Sequence, residues 1–118
     1  DGRLTFARGP ETSSAVNIDH VVPLGDVWRS GAARWSTAQR VVFANDPLEL
    51  LAVLRATNAA KNGSDAAAWL PPYPPARCPY VARVVAVKAA YALSMTQAEH
   101  DAVAAVLTTC PAQPLPQR

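Results

Sequence analysis

Asp19 and His20 stand side by side in the stretch NIDHVVPLGD, between Val16/Ile18 and Val21/Val22, where an apolar strand would keep its polar groups out. Farther along, Asn58 and Lys61 lie three residues apart in TNAAKNG, a spacing of one helical turn. A carboxylate beside an imidazole, followed by an amide and an amine on a helix, is a set suited to cutting a phosphodiester. Carboxylate and amide oxygens are hard ligands for Mg²⁺, which prefers oxygen and keeps several waters. An uncoordinated imidazole can take a proton from water near neutral pH, and a bound metal can neutralise the leaving 3′ oxygen.

The surrounding residues have to position that set. RLTFARG reads as a short strand, and ETSSAVNIDHVV continues into a second in which Val16, Ile18 and His20 share a face. Asp19 then faces the other way unless the strand bends there, and Pro23 ends the run because it cannot donate to a ladder. Ser36 with Gln39 forms a capping box, predicting a helix over 37–44 that stops at Asn45-Asp46-Pro47. LELLAVL reads as a strand, and RATNAAKNGSDAAAWL as a short helix interrupted at Asn62-Gly63. YVARVVAVKAAYAL and TQAEHDAVAAVLTTC are helical segments expected to pack as an antiparallel hairpin. Val81, Val84, Val85 and Lys88 follow helical spacing in the first, and Thr96 with Glu99 gives the second a capping box.

A chain of 118 residues is one domain's worth: residues 1–110 are expected to form a single domain and 111–118 a flexible tail. No apolar run approaches the roughly 18 to 20 residues needed to cross a bilayer, so no membrane partner is expected. A formal charge of +2 permits a nucleic-acid partner without requiring one. Cys78 and Cys110 are the smallest even count and would meet at the outer ends of the helical hairpin, so they read as one disulfide. Such a bridge favours an exported protein. The chain begins at Asp1 without a charged and apolar leader, so any signal peptide is expected to have been removed or to lie outside the sequence given.

Taken in order, IDHVVPL, FANDPLELLAV and TNAAKNGSDAAAWLPP resemble the HNH, or ββα-metal, endonuclease superfamily. The resemblance is closest to the secreted actinobacterial-type branch grouped with the GmrSD C-terminal domain, and it runs from about Thr5 to Cys110. It implies an α+β fold with a ββα-metal core, an inserted helix and a C-terminal helical hairpin. It also implies hydrolysis of DNA, with RNA as a second substrate, leaving a 5′-phosphate and a 3′-hydroxyl. On this resemblance His20 is the general base, Asp19 and Asn58 hold one divalent ion (Mg²⁺ first, Mn²⁺ or another second), and Lys61 touches substrate phosphate. Trp69 and Pro71 match structural positions, and Cys78 and Cys110 match a pair found in the secreted branch. The middle residue of the H-N-H pattern, an Asn that ties the loop carrying the base, is Glu49 here; an ionised Glu can accept hydrogen bonds from that loop but not donate one. Secreted relatives also carry an upstream acidic segment, which is expected to be missing from this chain.

Each residue also has an ordinary reading beside this one. His20 alone would be a satisfied, partly buried histidine, Asp19 a strand-end turn residue, Asn58 a helix cap and Lys61 a solvated lysine. Arg3 and Arg8 flank the first strand, and Arg8 is the candidate grip on the DNA backbone. Trp28, Trp35 and Phe43 read as core and His100 as surface. Two rival functions stay open: a catalytically impaired nucleic-acid-binding module, suggested by Glu49, and a secreted interaction domain. A monomer is expected, and a use in competition between cells would add an immunity or inhibitor protein as partner.

Overall fold

A computed structural model describes residues 16–117; the strand expected at RLTFARG, with Arg3 and Arg8, lies outside them. Strand β1 (Val16–His20) pairs antiparallel with β2 (Leu50–Leu54), in a register that sets Asp19 opposite Leu51 and His20 opposite Leu50. Side chains alternate along a strand, so Asn17 and Asp19 face one side of this ribbon, while Val16, Ile18 and His20 face the other. A two-stranded ribbon is marginal by itself and needs a helix against it. Helix α3 (Arg55–Lys61) follows β2 directly, contacts both strands, and ends where Asn62 turns left-handed at φ 48°, followed by Gly63 at φ 74°. The predicted stop at Asn62-Gly63 therefore has its geometric cause.

Between the strands run α1 (Leu24–Ser30), a 3₁₀ turn at Ala32–Arg34, and α2 (Thr37–Ala44). In α2 both halves of the Ser36/Gln39 capping box are made. The sequence reading had no helix at Leu24–Ser30. That helix begins after Pro23 with no side-chain cap, so the usual signal of a helix start is missing. Asp46 then orders the turn into β2: its Oδ1 accepts from Leu48 N–H, and Tyr91 donates its hydroxyl to the other oxygen.

The predicted hairpin is α4 (Arg77–Ala90) against α5 (Gln97–Thr108). Cys78 and Cys110 are bonded, with their Cα atoms 6.5 Å apart and a sequence separation of 32. Closing that loop stabilises the chain by roughly 3 to 4 kcal/mol on the chain-entropy account. The described residues are thus α+β, with helices around a small two-stranded sheet. Its core joins Val21 and Val22, just past β1, to Phe43 of α2 and to Val81, Val84 and Val87 of α4. Phe43 meets Tyr91 edge-on at 4.8 Å and Trp35 at 5.6 Å, placing Trp35 and Phe43 in packing. Trp28 instead lies exposed under the guanidinium of Arg40, 4.5 Å from its ring centre.

One cation ties three helices together. Lys88 of α4, 3% exposed, donates to Asp26 of α1 at 3.1 Å, to Glu99 of α5 at 2.8 Å, and to the carbonyl of Ser94 at 2.8 Å. The expected Thr96/Glu99 capping box is consequently only half made: Thr96 caps the Glu99 N–H, but the Glu99 side chain goes to Lys88. Burial pushes the Glu99 carboxyl above its ordinary pKa, and the bond to Lys88 opposes that rise. Removing the cation would leave two buried carboxylates facing each other. Lys88→Ala is therefore expected to cost about 3 to 5 kcal/mol, read as a lower urea midpoint in equilibrium unfolding with the disulfide intact.

Candidate functional site

Lys61, the last residue of α3, points into the ribbon and is 2% exposed. Its ammonium donates to Asp19 Oδ2 at 2.8 Å, to the carbonyl of His20 at 3.0 Å, and to the carbonyl of Val21 at 2.9 Å. All three of its protons are thus engaged by the end of β1. The ring of Tyr80 lies 5.5 Å below the same nitrogen. In this arrangement Lys61 fixes the strand end and offers no proton to a phosphate.

Asp19, Asn58 and Lys61 line one cavity of about 780 Å³. Asn58 sits one helical turn before Lys61, and among the described residues its side-chain amide has no hydrogen-bond partner. Asp19 keeps Oδ1 outside its ion pair. The structure therefore brings together the two oxygen donors expected to hold a cation. No group of three or more His, Cys, Asp or Glu able to hold a metal occurs among the described residues. The available set fits Mg²⁺, bound through one or two protein oxygens, waters and substrate phosphate; it does not fit a zinc site, which needs three or four N, S or O ligands.

His20 is half-buried, does not line that cavity, and points to the end of α2, where its Nε2 lies 3.1 Å from the carbonyl of Ala44. The last carbonyls of a helix lack intrahelical partners, and a carbonyl only accepts. The neutral ring therefore carries its proton on Nε2 and its lone pair on Nδ1. Ala44 was invisible to sequence reasoning because its contribution is a backbone oxygen.

Glu49 is fully buried and ties down the same loop from the turn that leads into β2. Its backbone carbonyl accepts from Val21 N–H at 2.8 Å, and its Oε1 accepts from Val22 N–H at 2.8 Å. Desolvation pushes its pKa from an ordinary 4.5 up to about 8; the Val22 hydrogen bond and the Lys61 charge oppose the rise, while Asp19 and Asp46 add to it. At neutral pH the group is thus mainly an uncharged carboxyl whose Oε1 makes the bond an amide oxygen would make. Its Oε2 has no partner among the described residues.

The cavity has walls that sequence reasoning did not assemble: Tyr73, Tyr80 and Arg83, and the tail residues Gln113, Pro114 and Pro116. Trp69 joins them, edge-on to Tyr80 at 5.7 Å. PPYPP was the available signal, since an aromatic held between prolines is rigidly presented. His100 is exposed beside Asp101, apart from all of these groups.

A carboxyl whose folded pKa is raised favours folding most at pH below its unfolded pKa, and that contribution is lost as pH rises through the folded value. Between about pH 4.5 and 8 the protein should therefore lose stability through Glu49, by on the order of a few kcal/mol. Glu49→Gln keeps the acceptor for Val22 and should flatten this slope, as measured by urea unfolding at a series of pH values. An unchanged slope would refute the assignment.

The model of the family described as GmrSD restriction endonucleases, C-terminal domain, matches residues 3–106. An uncharacterized secreted protein from Arthroderma benhamiae is 45% identical over 100 residues, covering 83% of this chain and 49% of the relative, so the chain spans about half of that protein's length. No solved structure matches. With nearly its whole length matched, the chain belongs to the HNH-related family of GmrSD restriction endonuclease C-terminal domains.

Proposed function

We propose that this protein is a metal-dependent endonuclease that hydrolyses phosphodiester bonds of DNA, with RNA as a second substrate, in the manner of a ββα-metal enzyme built on β1, β2 and α3. The observation that carries this reading is an imidazole fixed through Nε2 to Ala44, directly following a carboxylate that shares a cavity with the amide of Asn58. His20 Nδ1 accepts the proton of the attacking water, because its other nitrogen is already donating. Asp19 and Asn58 hold the cation, which when bound supplies positive charge at the leaving 3′ oxygen. In-line displacement sets the attacking water and the leaving oxygen on opposite sides of phosphorus.

Lys61 serves as a positioning residue, holding Asp19 and the carbonyls on either side of the strand end. Arg8 meets the DNA backbone in this reading. Glu49 was the reason to consider a binding-only module, but its Oε1 makes the loop-tying bond in uncharged form, so the hydrolytic reading is preferred. An extracellular site of action is supported by the Cys78–Cys110 bridge and by the secreted relative.

The test is nicking of supercoiled plasmid with Mg²⁺ or Mn²⁺. The parent chain should relax the plasmid, EDTA should stop it, and His20→Ala should slow it by roughly 100- to 10,000-fold while unfolding like the parent. Salt-sensitive DNA binding without nicking under any divalent ion would instead establish the binding module.

A further inference from the structure

The cavity beside Asp19 and Asn58 is much larger and more apolar than a hydrated cation requires. Its volume of about 780 Å³ falls within the roughly 300–1,000 Å³ typical of sites for organic ligands. Its wall includes Trp69, Tyr73 and Tyr80 with the neighbouring prolines. Such a surface is ill matched to a phosphodiester backbone, which is charged and wants cations. Of the cations on this wall, Lys61 is engaged by the end of β1, whereas among the described residues Arg83 uses only Nη1, which donates to the carbonyl of Leu48 at 2.9 Å. A flat aromatic heterocycle is what fits such a wall, through stacking that tolerates any base.

Tyr73 is the clearest sign. It is 44% exposed although it lies in PPYPP, leads directly into the 3₁₀ turn at Pro74–Ala76, and still lines the cavity. Prolines on both sides restrict the backbone, so the ring is presented with little freedom left to lose on binding. In a duplex the faces of the bases are covered by their neighbours. A base can enter a concave aromatic pocket only after leaving its stack.

Resting on the nuclease reading above, we propose that this cavity is a nucleobase pocket. An unpaired base next to the scissile phosphate lies against Tyr73 and Trp69 while its phosphate meets Asp19 and Asn58, so single-stranded or locally unpaired nucleic acid is the preferred substrate. Binding is measured with Mg²⁺ in the His20→Ala chain, so that the oligonucleotide persists. The probes are (dT)₄, an abasic tetramer of equal charge, and a short duplex. (dT)₄ should bind more tightly than the other two. Tyr73→Ala should weaken (dT)₄ by roughly 5- to 150-fold without affecting the abasic tetramer, and Tyr73→Phe, which keeps the ring, should restore it. Equal binding of (dT)₄ and the abasic tetramer, or indifference to Tyr73→Ala, overturns the pocket. Failure of the nuclease reading looks different: ring-dependent binding with no cleavage by the parent chain removes hydrolysis and leaves the pocket standing. Equal cleavage of single strands and duplex, unchanged by Tyr73→Ala, removes the pocket and leaves the nuclease standing.

Discussion

The ammonium of Lys61 is the constraint on which the candidate site depends. A ribbon of two five-residue strands buries too little to hold itself, and the residues that carry the chemistry lie at its end. Three hydrogen bonds from one buried nitrogen join that end to α3. Two of the acceptors are backbone carbonyls, that of His20 in the last ladder pair and that of Val21 just past it. The third is Asp19, whose charge makes burial of the ammonium tolerable. Asp19 is thus part of the scaffold through Oδ2 and part of the candidate metal site through Oδ1. Removing its charge would disturb both, which makes His20 the cleaner residue on which to test chemistry.

Lys88 repeats the device on the far side of the core. It too is buried, and it too engages three acceptors, here drawn from α1, α5 and the loop between α4 and α5. The disulfide fastens the opposite end of the same hairpin. The hairpin thereby becomes a rigid support, and its α4 face carries Val81 and Val84 into the core and Tyr80 beneath Lys61. Burial pushes the Tyr80 hydroxyl above its ordinary pKa, so the ring stays neutral under the ammonium. Among the described residues, both buried lysines have an acceptor for each of their three protons.

What could be read in the sequence was what neighbouring residues determine. Alternation marked β1, the Ser36/Gln39 pair marked α2, and Asn62-Gly63 marked the end of α3, because each signal and its effect lie within a few positions. Contacts across the chain were not legible in that way. Lys61 and Asp19 are 42 positions apart, and nothing in TNAAKNG distinguishes a lysine that turns inward from one that turns to solvent. Glu99 shows the competition directly: a local pattern assigned it to a cap, and a buried cation 11 positions away took it instead. The family resemblance supplied the long-range information that local patterns lack. It grouped Asp19, His20 and Asn58 before any geometry was available, though it could not say which atoms were left free.

Those free atoms explain why an apolar strand carries Asp19 and His20 together. On a strand, adjacent side chains diverge, so two polar neighbours cannot both be solvated on one face and must meet different surroundings. Asp19 turns towards α3, where a cation and the amide of Asn58 await it. His20 turns towards the end of α2, where a carbonyl with no helical partner fixes one ring nitrogen and leaves the other with its lone pair. A single step along the backbone therefore separates an acceptor of protons from a holder of cations while keeping them about one residue apart. Replacing the pair by Val-Val would improve the strand and leave Lys61 without its counter-charge. The polar pair is kept by its two separate partners, and the ribbon needs only be strong enough to hold the register between them.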